Sequence, residues 1–205
     1  MTIAARLQSP LAQFDLAARA AIPVANAGVT ATEYAFFGHL NLRGDPGDAR
    51  FIGAVSKVIG VPLPLTPNTA VDAQAATIYW LGPDEWLIVC AGARTADLER
   101  ELREALTGVR SSVTDVSGGQ TIVVLRGPSV RETLAKGCPL DLHPRAFAGG
   151  QCAQSHLAKA AILLRPIGGN AEEGEAMELI FRRSFAVYVW TWLEGAAAEY
   201  GFAVK

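Results

Sequence analysis

The chain is poor in cysteine, in net positive charge and in phosphate-cradling glycine loops, and each shortage removes a class of function. Only Cys90, Cys138 and Cys152 occur among 205 residues, with no Cys-x-x-Cys pair. An odd number of scattered thiols forms no disulfide framework, so a reducing cytoplasmic setting is expected. Lysine appears 4 times against 14 arginines, and the 18 basic residues face 20 acidic ones for a net charge of −2. These charges are spread along the chain. The basic stripe of a nucleic-acid binder is missing, and no such partner is expected. No run of about 18 uncharged apolar residues exists, so no membrane span or membrane partner is expected. Gly-x-Gly-x-x-Gly after a strand, Gly-x4-Gly-Lys-Ser/Thr and Gly-x-Ser-x-Gly are all absent, which excludes a dinucleotide fingerprint, a P-loop and a nucleophile elbow. What is present is apolar: 50% of residues are hydrophobic and 19% charged, below the usual ~25% charged. Such a chain has surface to hide against partner proteins.

Residues 1–32 read as an N-terminal arm, Ala-rich, with a short helix around Leu11–Ala20. Ala25-Asn26-Ala27 mimics a signal-peptidase site, but Asp15 and Arg19 interrupt the segment before it, and the arm is read as cytosolic. Residues 33–205 read as one domain. A strand at Tyr34–Leu42 ends in Arg43-Gly44-Asp45-Pro46-Gly47. A helix follows over Asp48–Ile59, with Asp48 as N-cap and Gly60 as C-cap. Strands at Ala76–Leu81 and Glu85–Cys90 flank the turn Gly82-Pro83-Asp84. A helix over Ala96–Leu106, with Leu98, Leu102 and Leu106 four apart, precedes a strand at Val109–Val116. The order then recurs: strand Gln120–Leu125, helix Ser129–Lys136, strands Ser155–Leu164 and Met177–Arg182, and a final helix Ser184–Tyr200 capped by Ser184. The fold class expected is α+β, mixed sheets with packed helices. Two β-α-β-β-α units, about 33–117 and 118–205, make an internal duplication.

Cys138, His143, Cys152 and His156 are metal-ligand types. Their spacing lacks a close Cys pair to anchor a turn, so they read as ordinary loop and core residues rather than a zinc site. Glu172, Glu173, Glu175 and Glu178 read as a solvated acidic run, and Arg182-Arg183 as exposed charges at a strand end. The last helix is the informative element. Phe185, Val189, Leu193 and Ala196 suffice to seal a sheet, which leaves Tyr188, Trp190 and Trp192 on the other side. These three are the candidate interface residues, since aromatic patches mark protein contacts. No catalytic, cofactor-binding or metal residue is assigned.

Four segments resemble the gamma-subunit family of heterotetrameric sarcosine oxidase: Gly38-His39-Leu40-Asn41-Leu42-Arg43-Gly44-Asp45-Pro46, Leu81-Gly82-Pro83-Asp84-Glu85-Trp86-Leu87, Lys136-Gly137-Cys138-Pro139-Leu140-Asp141-Leu142-His143-Pro144 and Arg183-Ser184-Phe185-Ala186. More distantly, Asp115-Val116-Ser117, Thr121–Gly127 and Arg131–Leu134 resemble the folate-binding aminomethyltransferases, the glycine-cleavage T-protein family. The resemblance implies a T-protein-like folate-binding domain fold. It also implies a place in an enzyme that oxidises sarcosine with oxygen to glycine and hydrogen peroxide. The methyl carbon leaves as formaldehyde or methylene-tetrahydrofolate. FAD, FMN, NAD, zinc and tetrahydrofolate then belong to the other subunits (alpha, beta and delta). No catalytic acid or pterin-clamping residue of the aminomethyltransferases matches a position here, which implies an accessory chain. The alternatives are a folate-binding module and a stand-alone folate-dependent aminomethyltransferase.

Overall fold

The computed structural model describes residues 7–168 and 175–205. Where the sequence carries dedicated end signals, the elements start and stop on them. Helix α2 (Ala49–Ile59) is capped by the Asp48 carboxylate, which accepts the Arg50 N–H, and ends at Gly60 with φ 82°. That left-handed turn is cheap only without a Cβ. Strands β4 (Ala76–Gly82) and β5 (Glu85–Cys90) are joined through Pro83-Asp84. Helix α3 (Thr95–Ala105) buries Leu98 and Leu102, with Leu106 buried just beyond its end.

The first sheet has the order β3-β4-β5-β2-β6 and is wholly antiparallel, with β2 at Gly38–Gly44, β3 at Ala70–Asp72 and β6 at Ser111–Asp115. The second, mixed sheet has the order β11-β1-β7-β10-β9-β8. Its strands are β1 (Val29–Tyr34), β7 (Gln120–Arg126), β8 (Ala153–Leu157), β9 (Ala160–Pro166), β10 (Ala176–Arg182) and β11 (Phe202–Val204). Helices α1 (Leu16–Ala20), α4 (Val130–Ala135) and α5 (Ala186–Ala197) accompany it. The runs β3-β4-β5-β2 and β8-β9-β10-β7 have the same order, so the two sheets repeat one four-strand core, although β6 pairs directly with β2 while β11 is separated from β7 by β1. The repeated unit is β-α-β-β-β-α-β, one strand richer in each half before the second helix than the sequence pattern suggests. Strand β3 is too short to show a period, and Ser155–Leu164 is two strands hinged at Ala158 (φ 51°), a turn without Gly, Asn or Pro to announce it.

The expected arm at 1–32 needs correction. Its last residues belong to β1, which pairs antiparallel with β7 and parallel with β11, and Leu11, Val29 and Ala31 are fully buried. Small apolar residues carry little signal alone, but between two strands they pack without voids. The expected strand at Tyr34–Leu42 likewise begins only at Gly38, because Phe36 turns the chain with φ 63°.

Period-two alternation then builds four layers. On β5, Trp86, Ile88 and Cys90 pack on the side of α2 and α3, while Leu87 and Val89 face the other sheet. On β7, Val123 and Leu125 pack on the side of α4 and α5, while Ile122 and Val124 meet the first sheet. The two sheets therefore lie face to face across a seam, with helices outside. Among the described residues, no helix is long and apolar enough to cross a membrane.

Candidate functional site

The candidate interface residues on α5 have three different fates. The helix buries Ala186, Val189, Trp190, Leu193 and Ala197, a stripe at i, i+3/i+4 and i+7. Trp190 is thus a core residue, fully buried, and its assignment to an interface is corrected. Its Nε1 donates to Glu194 Oε1 at 2.9 Å. Its ring lies 5.6 Å from Phe202 and 6.0 Å from Phe14, and the Arg19 guanidinium sits 5.9 Å from the ring centre. The chain's own N-terminal segment and last strand supply the second cover that the helix needs. Trp192 is half-buried against α4, so close to Gly137 that a Cβ there would sit 2.4 Å from the ring. Tyr188 is 38% exposed and Val187 40%, and the Tyr188 hydroxyl accepts the Lys159 N–H at 3.3 Å. Ser184 does not cap the helix. A 3-10 turn at Arg183–Phe185 precedes it, and the N-cap position, Phe185, makes no side-chain bond.

A second aromatic corner escapes the sequence reading. Phe36, read there as a strand residue, is 52% exposed and holds a left-handed backbone. A bulky residue in that conformation is strained, and half its ring is in water besides. Leu7 and Tyr34 are also exposed, and Leu7, Phe36 and Phe37 border a hollow of about 460 Å³ with Asp115 and Arg183.

Between the sheets opens a cleft of about 630 Å³, floored by Leu81, Leu163 and Ile180 and rimmed by Glu85, His156 and Arg182. Its size suits a small molecule. Some of its polar groups are engaged: Asn41 Nδ2 donates to Glu85 Oε1 at 2.8 Å, and Gln154 Nε2 to the Leu81 carbonyl at 2.7 Å. Among the described residues, the buried side-chain polar atoms without a partner are His39 Nε2 and Thr133 Oγ1, and neither lines the cleft. Burial holds the His39 imidazole below its ordinary pKa despite the Phe37 carbonyl, 3.0 Å from Nδ1, and nearby Asp115.

The Cys/His set is dispersed. Cys138 belongs to the core under α4 and α5, whereas Cys152 lies in the seam on the opposite side of the second sheet. The Cys152 Sγ donates to the Thr69 carbonyl at 3.3 Å, and burial pushes its pKa up to about 11. Among the described residues no cluster of three or more His, Cys, Asp or Glu side chains could hold a metal ion. Of the expected acidic run, Glu172 and Glu173 lie outside the described residues. Glu175 pairs with Arg131. Glu178 is not freely solvated: it is largely enclosed in the seam, where Arg165 Nε donates to it at 2.9 Å and the Tyr79 hydroxyl also donates. Burial, with the Glu178 charge, holds the Tyr79 hydroxyl well above its ordinary pKa.

The sequence pattern of the family "Sarcosine oxidase, gamma subunit family" matches residues 43–199. The sarcosine oxidase subunit gamma of Corynebacterium sp. (strain U-96) is 32% identical over 197 residues, covering 96% of this chain and 92% of that protein. That of Arthrobacter sp is 32% identical over 173 residues, 84% of this chain and 81% of that protein. A chain of the heterotetrameric sarcosine oxidase from Corynebacterium sp. U-96 superposes with a TM-score of 0.83 at 31% identity, over 95% of this chain and 96% of that one. Aminomethyltransferase T of Bartonella henselae shares the fold alone, with a TM-score of 0.63 at 13% identity over 87% of this chain and 48% of its own. The fold is that of the aminomethyltransferases, and the chain belongs to the sarcosine oxidase gamma subunit family.

Proposed function

We propose that this chain is the accessory gamma-type subunit of a heterotetrameric sarcosine oxidase, contributing surface rather than redox chemistry. The observation that carries this reading is the end-to-end likeness to such a subunit, at a TM-score of 0.83 over 95% of the chain. An assembly of this kind would take alpha, beta and delta chains as partners in the cytoplasm, with FAD, FMN, NAD, zinc and tetrahydrofolate held by those chains. Sarcosine oxidation would then occur elsewhere in the complex. Tyr188 and Trp192 supply the contact surface on α5, extended by the Phe36 corner. Buried aromatics at the centre of an interface carry a large share of its energy, and exposed ones on an otherwise finished monomer are the natural anchors.

The test is co-expression of the tagged chain with the remaining subunits encoded in its source. The expected outcome is stoichiometric co-purification of a sarcosine-oxidising complex, while the chain alone shows no flavin absorption and no saturable tetrahydrofolate binding. A chain that elutes alone from such cells, or one that transfers a methylene group to folate unaided, would overturn the proposal.

A further inference from the structure

The subunit reading leaves one group of side chains in the seam without a role. Arg165 on β9 and Glu178 on β10 come from the second sheet, and Asp72 on β3, Thr77 and Tyr79 on β4 from the first. Arg165 Nη1 donates to both carboxylate oxygens of Asp72, at 2.9 and 3.1 Å, with the Asp72 side chain itself 67% exposed at the edge. Its Nε donates to Glu178 Oε1 at 2.9 Å, and its Nη2 to Thr77 Oγ1 at 3.4 Å. The Tyr79 hydroxyl donates to the same Glu178 oxygen, and the guanidinium lies 5.2 Å from the Tyr79 ring centre. The Arg165 and Glu178 side chains are only 11% and 13% exposed. We propose that this cluster is a clamp that sets the width of the cleft between the two repeats.

Side chains two apart on a strand share a face. From Arg165 to Leu163, from Tyr79 to Leu81 and from Glu178 to Ile180 is one such step on three different strands. Leu163, Leu81 and Ile180 are the floor of the cleft. Clamp and cleft therefore occupy consecutive rows of one seam. The rest of that seam is apolar, with Ala70, Leu87, Val89, Ile122 and Val124 among its residues. Apolar contact is non-directional. Backbone bonds from the Ala70 N–H to the Gly150 carbonyl and from the Cys152 N–H to the Asn68 carbonyl, both 2.9 Å, tie the two halves at one edge. The seam beyond them has few directional contacts to fix its angle. The planar guanidinium fork of Arg165 is held in its own sheet by Glu178 on the neighbouring strand. Its directional contacts to Asp72 and Thr77, with the Tyr79 hydroxyl on Glu178, narrow the arrangements open to the facing sheet. Buried ionic groups of this sort add little net stability over an apolar substitute, and their recognised use is to select a single packing. The bond from Gln154 Nε2 to the Leu81 carbonyl crosses the seam at the cleft end, so a shift of either sheet at the clamp is felt there.

The experiment places nitroxide labels on the full-length chain at Asp84→Cys in the β4–β5 turn and His156→Cys on β8, both exposed; Cys90, Cys138 and Cys152 are buried. Pulsed electron resonance then reads the distance distribution across the cleft, with a thermal melt as the folding control. Arg165→Met is expected to keep a cooperative melt but broaden the distribution at least about twofold, with no restoration in Arg165→Lys, whose ammonium lacks the fork. Tyr79→Phe removes one hydroxyl and should broaden it less. An unchanged distribution in Arg165→Met overturns the proposal. If that variant does not fold, an unchanged width in Tyr79→Phe does the same. The outcome does not depend on whether the chain enters an oxidase complex.

Discussion

Helices α3 and α5 occupy the same place in the two repeats, yet their outer faces are opposites. Each follows a run of three strands and is entered through a 3-10 turn, Gly92–Arg94 for α3 and Arg183–Phe185 for α5. Helix α3 buries Leu98 and Leu102 and covers its outside with ion pairs, Arg100–Asp97 at 2.7 Å and Arg103–Glu99 at 2.8 Å. Helix α5 buries Val189, Trp190 and Leu193 and leaves Val187 and Tyr188 in water. Exposed i,i+3 and i,i+4 pairs are worth only about 0.3–0.5 kcal/mol each, so the charges of α3 serve solvation more than stability. One repeat is finished against water, and the other leaves apolar surface exposed that the proposed partner would cover.

The strongest challenge to this contrast is Trp190→Ala. As a core residue it should cost the isolated chain roughly 3–5 kcal/mol in a denaturant melt, comparable to the roughly 2–5 kcal/mol expected of Leu102→Ala in α3. If Trp190→Ala instead melts like the parent and loses only assembly, the inner and outer faces of α5 are exchanged.

The contrast is sharpened by Tyr188→Ala. Truncating an interface anchor costs about 2 kcal/mol, roughly a thirtyfold loss of affinity. A pull-down titration with the co-expressed subunits should show that loss, while the melt of the isolated chain moves by less than about 1 kcal/mol. Equal affinity for variant and parent would remove α5 from the interface. The smallest effect belongs to Arg100→Ala on α3, which breaks an ion pair with both partners more than half exposed. Its melt should stay within about 0.5 kcal/mol of the parent, with assembly unaltered; a large assembly defect would mean that α3 also meets a partner.

Elements with their own end chemistry were legible in the residues. Asp48 and Gly60 bound α2, Gly82-Pro83-Asp84 marks a hairpin, and Leu98, Leu102 and Leu106 mark a helix face, because each signal acts within a few residues. Strands β1, β3 and β11 were not, since pairing with a distant strand, rather than any local preference, holds Val29–Tyr34 and the two three-residue strands in place. The surroundings of α5 were half legible. A composition apolar on every side announces that something must cover the helix, but not that residues as distant as Phe14 and Arg19 would cover Trp190.

Glu178 marks the limit most clearly. In sequence it belongs to an acidic stretch, whose members share a charge and a preference for water. In the fold it shares one oxygen between Arg165 and Tyr79, the second of them 99 residues away. Charge, hydrophobic period and turn chemistry are properties of neighbouring residues, so the chain carries its helices, its hairpin, its repeated order and its lack of cofactor motifs on its face. Which carboxylate is taken out of water, which tryptophan is enclosed and how wide the seam opens depend on atoms brought together from far along the chain. Burial is a property of the packed layers, and it was decided only when the two sheets closed on each other.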